Sequence, residues 1–271
     1  MPAKIVPFGY LKLKRFRFFV IVTIVAITAI VLAGCGNSGS SSSKSGSGNK
    51  FVIATDTTFA PFEFENEKGE MVGIDMDLLK AIAKDQGFEY EVKVLGFNAA
   101  VQALESQQVD GVIAGMSITD ERKQKFDFSD PYFDSGVGMA VSSSNKDIKS
   151  YNDLKGKKVA VKTGTEGYTF ADSIKDKYGF TLTTFEDSAN MYEDVKSGNA
   201  VACFEDYPVL GYAITQGQPL KMVGEMEAGN SYGFAVSKGK NAELIEKFNK
   251  GLKNLKDNGE YQKILDTYIS K

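Results

Sequence analysis

From residue 51 onward, short apolar runs alternate with longer segments whose apolar positions recur at helical spacing. Residues 51–54 form an apolar run suited to a buried strand. Residues 75–86 place Leu78, Leu79 and Ile82 on one helical face, and Gly87 stands where such a helix stops. Residues 90–95 alternate as a strand does. Residues 98–106 put Val101 and Leu104 on one face of a helix, and 111–114 are a third apolar run. This strand–helix–strand–helix–strand order is that of a parallel α/β sheet.

The pattern then restarts. Strands are predicted at 158–161, 181–185 and 201–204, with helices over 165–177, within 190–198 and over 208–216, the last with Pro208 in its first turn. Two such units in series predict two lobes, although the halves share too little sequence to be a repeat. Further strands are expected at 220–223 and 232–236. Terminal helices are expected over 242–258 and 260–270, the first with Leu244, Ile245, Phe248, Leu252 and Leu255 on one stripe.

The chain ahead of residue 51 has another character. Residues 1–17 carry five basic residues and no acid, and residues 18–33 are an unbroken run of apolar residues and Thr. That is the plan of a secretory signal peptide, with an apolar stretch short for a membrane span. It ends in Leu32-Ala33-Gly34-Cys35, which resembles a bacterial lipobox, in which the Cys is lipidated and becomes the mature N-terminus. Residues 36–50 are almost entirely Ser, Gly, Asn and Lys and predict a flexible tether. The expected organisation is a signal peptide over 1–34, a lipidated Cys35 and tether over 35–50, and a folded region from 51. The expected location is extracytoplasmic, anchored to the cell membrane by lipid.

Charge and composition narrow the chemistry. Loss of residues 1–34 removes five of the 32 basic residues and none of the 35 acidic ones, leaving a net charge of −8. An acidic chain without a basic run argues against nucleic acid. The chain has no His, which excludes Ser-His-Asp and Cys-His nucleophiles and the usual zinc sites. Cys203, inside an apolar run, reads as a small core residue. No cofactor and no metal are expected.

Ligands of open α/β sheets bind outside the carboxyl ends of the strands. Those ends here carry Asp56 and Phe59, then Phe97, then Gly115, Ser117 and Arg122. In the second half they carry Lys162, Thr165 and the pair Glu205-Asp206. Arg122 stands out, because the other two Arg residues, Arg15 and Arg17, leave with the signal peptide. Its planar fork suits a carboxylate. Asp56 also reads as a turn-forming Asp, Phe59 and Phe97 as core aromatics, and Arg122 as a surface Arg.

The strings 55–64 and 115–122, Phe126-Asp127-Phe128-Ser129-Asp130-Pro131-Tyr132, and the turn 162–165 together resemble the polar amino-acid-binding proteins of ABC importers, the glutamine-binding members most. The resemblance spans residues 51–271. It implies a two-lobed Venus-flytrap α/β fold of the type II periplasmic-binding kind, with mixed, mostly parallel sheets. Two strand crossovers, near 132–136 and 228–232, would form the hinge. Lobe one would be 51–133 plus 232–271, and lobe two 136–227. By position, Arg122, Ser117 and the backbone N–H groups of Thr165 and Glu166 would hold the ligand carboxylate. Asp206 and the Gly115 carbonyl would hold its ammonium, and Phe59 and Phe97 would sandwich its stem. Asp56 and Lys162 would meet its side chain, which favours a carboxamide and hence glutamine. The chain departs from the pattern at Glu166, where Gly or Thr is expected. It departs again at Glu205, where an acid would admit a cationic ligand. The implied function is capture of an L-amino acid by hinge closure and delivery to permease and ATPase subunits, without catalysis. A periplasmic dehydratase on the same fold and a surface adhesin are the alternatives of another class.

Overall fold

The computed structural model describes residues 50–269. The signal peptide, Cys35 and the tether up to residue 49 lie outside the described residues. Among the described residues no helix is long and apolar enough to cross a membrane.

Strand β1 (Phe51–Thr55) leads into a small three-stranded sheet of β2 (Thr58–Phe59), β3 (Glu63–Glu65) and β4 (Met71–Val72). Helix α1 (Ile74–Gln86), β5 (Tyr90–Val94), α2 (Phe97–Glu105), β6 (Gly111–Val112) and β7 (Phe126–Phe128) follow. The chain then enters β8 (Phe133–Ser142), β9 (Lys158–Lys162), α3 (Glu166–Tyr178), β10 (Thr181–Phe185), α4 (Ser188–Ser197), β11 (Ala202–Asp206), α5 (Tyr207–Thr215) and β12 (Leu220–Tyr232). It closes with β13 (Ala235–Ser237), α6 (Ala242–Asp257) and α7 (Glu260–Tyr268).

These strands form two five-stranded sheets, ordered β5-β1-β6-β13-β7 and β10-β9-β11-β8-β12. In each, the unit's second, first and third strands pair in parallel, and two antiparallel strands complete the sheet. The antiparallel members follow from connectivity. β8 arrives directly from the first sheet, and β13 arrives after the chain has returned through β12. β8 and β12 pair with each other, with Tyr232 opposite Phe133 and Ser231 opposite Asp134, so the two crossings run as one ribbon.

Apolar packing holds each sheet. Leu78, Leu79 and Ile82 of α1 meet Leu244, Phe248 and Leu252 of α6 and Ile53 of β1 in one core. Gly251 of α6 lies so close to α1 that an added Cβ would stand 2.7 Å from Ile82 Cγ2, so a Gly is needed at this crossing. In the second sheet Val159 and Val161 pack with Phe180 and Phe204. Cys203 is buried beside Ala160 and Met191, and burial pushes its thiol up, as befits a core residue.

Three parts of the pattern read differently in space. The strand expected at 220–223 runs on as β12 to Tyr232, so that β13 starts only at Ala235 and not at 232. β8 is not evident from apolar spacing, because Gly136 and Gly138 interrupt it. An added Cβ on Gly138 would stand 3.1 Å from Leu210 and Tyr207, so close packing of α5 explains that glycine. β11 runs two residues past the predicted end of its strand, to include Glu205 and Asp206, both buried.

Candidate functional site

Eight of the ten expected site residues line one small, nearly closed cleft with a cavity volume of about 10 Å3: Phe59, Phe97, Gly115, Ser117, Arg122, Thr165, Glu166 and Asp206. The first five come from segments attached to the first sheet, and the last three from the second. A larger hollow of about 720 Å3 lies at the amino end of β1, around Phe51, Asp110 and Asn241. Its charged side chains include the exposed Lys50, Glu89 and Glu243, whereas the smaller cleft brings together the buried Asp206 and the largely covered Arg122.

Arg122 follows β6 and starts a single 3-10 turn. Its Nη1 donates to the Ser117 carbonyl at 2.9 Å and its Nη2 to the Gly164 carbonyl at 3.0 Å. The guanidinium lies 5.4 Å over the Phe97 ring and 3.9 Å from Glu166 Oε1. Burial lowers its pKa from the usual range, against the pull of Glu166 and Asp206. Thr165 caps α3 by accepting from Tyr168 N–H at 3.3 Å, and its hydroxyl donates to the Lys162 carbonyl at 2.8 Å. The first-turn N–H groups of α3, which have no intrahelical acceptor, thus open at the cleft, where they favour an anion.

Asp206 ends β11 on the opposite side of the charge balance. Burial and the adjacent Glu205 push its pKa up to about 7, while the Tyr232 hydroxyl and Arg122 pull it down. Tyr232 donates to Asp206 Oδ2 at 2.5 Å and accepts from the Ser135 hydroxyl at 2.9 Å, so both crossing strands reach this carboxylate. Gly115 has φ +52°, and a Cβ there would lie 2.4 Å from Phe59 Cε1, so only glycine fits beside that ring.

Asp56 and Lys162 are not part of the cleft wall. They were expected to face a ligand separately, but they are bonded to each other, both fully buried. The Lys162 ammonium also lies 3.5 Å from the Thr58 and Ser188 hydroxyls and 5.2 Å from the Phe59 ring centre. Burial works against its charge, but Asp56 and Glu205 outweigh it and hold its pKa above the ordinary value. The reason for the pairing is energetic, since a buried ammonium needs an anion and Asp56 is within reach.

Glu205, which the sequence places beside Asp206 at the strand end without a ligand contact of its own, belongs to the same network. Its Oε2 accepts from the Ser188 hydroxyl at 2.7 Å and its Oε1 from Asp206 N–H at 3.2 Å. Burial raises its pKa, with Lys162 and Ser188 opposing. Among the described residues no group of three or more metal-ligating side chains is placed to hold a metal.

A mixed α/β pair of sheets with a charged cleft at the strand ends defines a ligand-binding protein of the type II periplasmic-binding fold. Residues 51–271 match the bacterial extracellular solute-binding proteins, family 3, and the chain belongs to that family. It is 37% identical over 220 residues to the arginine-binding extracellular protein ArtP of Bacillus subtilis (strain 168), covering 79% of this chain and 84% of that one. An ancestral arginine-binding protein, solved with glutamine and with arginine, is 41% identical with a TM-score of 0.76, covering 82% of this chain and 98% of that one. The second substrate-binding domain of GlnP from Lactococcus lactis, in an open conformation, is 47% identical with a TM-score of 0.58, covering 82% and 95%. These relatives are binding proteins and not enzymes, which removes the dehydratase alternative.

Proposed function

We propose that this protein captures a free L-amino acid, glutamine first, and hands it to the permease and ATPase subunits of an ABC importer. The observation that carries the reading is the meeting of Arg122, the α3 N-terminus and Asp206 in one cleft. A buried cation with a helix N-terminus suits a carboxylate, and a buried carboxylate suits an ammonium group. Ser117 would assist at the first group and the Gly115 carbonyl at the second, while Phe59 and Phe97 enclose the stem. Cys35 would tether the protein to the outer face of the membrane by its lipid.

The side-chain end supports glutamine. Lys162 and Asp56 already neutralise each other there, so a cationic ligand would bring in a charge without a free partner. Burying unmatched charge costs several kcal/mol, on the scale of about 3 kcal/mol or more. A carboxamide adds no net charge and carries both a donor and an acceptor. Glu205 supports a second reading. If ionised, it leaves the cluster with Asp56 and Lys162 at a net charge of −1, and arginine becomes acceptable. Relatives with arginine in their names fit that alternative.

Each sheet with its helices forms one lobe in this reading, and the ribbon of β8 and β12 is the hinge. Arg122 with Gly164, Lys162 with Asp56, and Ser188 N–H with Thr58 Oγ1 at 3.2 Å would join the lobes when closed. Closure is favoured by ligand because each lobe supplies part of its contacts. Supporting this, the chain superposes better on the liganded ancestral protein than on the more similar GlnP domain in its open form. Calorimetric titration of ligand-stripped protein with the amino acids tests the reading: glutamine is expected to bind, and scattering should show compaction as it does. Binding of arginine in its place would move the assignment to the second reading.

A further inference from the structure

Two buried carboxyl groups have no part in the ligand site described above. Glu63 opens β3 and Asp75 lies in the first turn of α1, and neither is exposed at all. The backbone forces them together. Ile74 N–H and Asp75 N–H donate to the carbonyls of Pro61 and Phe62, each at 2.9 Å. Gly73 sits so tightly on this segment that a Cβ there would lie 2.1 Å from the Phe62 carbonyl oxygen. Asp75 is thus bonded through its N–H to the residue that precedes Glu63, which sets the two buried carboxyl groups side by side.

Their donors are unevenly shared. Asp75 Oδ2 accepts from Gly115 N–H at 2.8 Å and from the Tyr132 hydroxyl at 2.8 Å. Asp75 Oδ1 and both oxygens of Glu63 have no donor among the described residues. Three buried acceptors without a donor are costly, and two ionised carboxylates in contact are costlier. One proton resolves both problems, because protonated Glu63 can donate to Asp75 Oδ1. The charge belongs on Asp75, which has two donors and a place in a first helical turn.

We propose that Glu63 keeps a proton shared with Asp75, and that this pair positions Gly115 for the ligand's ammonium group. The inference rests on the reading of Gly115 as a ligand contact. Holding the Gly115 N–H fixes the turn to which its carbonyl belongs, and Tyr132 ties the same pair to the start of β8. The charged and titratable groups facing Glu63 are Asp75 from α1, Asp56 after β1, Lys162 of β9 and Tyr132 before β8. Burial, then Asp75 and Asp56, hold the Glu63 carboxyl well above the usual range, with Lys162 opposing. A raised native pKa gives stability that is present below the ordinary glutamate value and lost as pH rises through the native one.

The test compares wild type, Glu63→Gln and Glu63→Leu in thermal unfolding without ligand, and in L-glutamine titrations, from about pH 6 to about pH 9. The amide of Glu63→Gln can donate to Asp75 without titrating. It is expected to keep neutral-pH affinity within about threefold and to be spared the loss of affinity and of Tm with rising pH that is expected of wild type. Titration of the ligand's own amine affects both proteins alike. Glu63→Leu removes the donor and should weaken binding about tenfold. Parallel Tm–pH curves for wild type and Glu63→Gln overturn the shared proton whatever the ligand. Equal affinity in Glu63→Leu and Glu63→Gln overturns the positioning role. A wild type that binds no amino acid overturns that role together with the reading beneath it, and leaves the Tm comparison to decide the proton.

Discussion

The two ends of the site meet the same problem, buried charge, in opposite ways. At one end, among the described residues, Arg122 has only backbone carbonyls as close acceptors, at 2.9 and 3.0 Å, with Glu166 more distant at 3.9 Å. At the other end Lys162 is bonded to Asp56 and flanked by Glu205 and Ser188. A charge whose partners are weak is available to a ligand, whereas one already neutralised shapes the site and rejects what would unbalance it. The first end therefore supplies affinity for the groups common to all amino acids. The second decides which side chain enters.

The sharpest way to break this contrast is to remove each cation. Lys162→Met leaves Asp56 and Glu205 as buried acids without a counter-charge and should lower stability by about 3–5 kcal/mol, read by denaturant unfolding. Arg122→Ala should change stability far less but weaken amino-acid binding by about 2–5 kcal/mol in calorimetry. Similar stability losses in both variants would erase the distinction. Gly115→Ala comes next: the 2.4 Å approach of its Cβ to Phe59 and the φ of +52° should cost about 1–3 kcal/mol and distort the cleft.

Two smaller effects sharpen the comparison. Glu205→Gln removes one acid beside Lys162. If glutamine is the ligand, its affinity should change by less than about fivefold, while any residual arginine binding falls about tenfold or more. The pH dependence of affinity reports on Asp206. The ammonium binds the ionised form, so affinity should fall as pH drops through about 7, by at most about tenfold per pH unit. The same raised pKa makes Asp206 cost stability as pH rises from the ordinary aspartate value toward 7. Asp206→Asn should therefore flatten both profiles.

Much of this was legible in the sequence. Apolar runs and helical stripes located the parallel strands and the helices that flank them, since burial in such sheets leaves a strong periodic signal. The strand-end rule picked out Phe59, Phe97, Gly115, Ser117, Arg122, Thr165 and Asp206, which do meet in one cleft. What stayed hidden depends on pairing across the fold. The antiparallel ribbon was obscured by the glycines of β8 and by the exposed acids of β12, where register shifts interrupt the ladder. The bond between Asp56 and Lys162 joins residues 106 positions apart. Glu63 and Asp75 are single acids between apolar neighbours, and only the close approach of Gly73 to Phe62 shows that they share a buried site.

The central claim is that Arg122 and Asp206 hold the two charged groups of a free amino acid. Titration calorimetry of the stripped protein with L-glutamine, beside its Arg122→Ala variant, tests it most directly. The account predicts binding by the wild type and a loss of about thirtyfold or more in the variant. Equal binding by the two proteins, or no binding of any amino acid by the wild type, would contradict it.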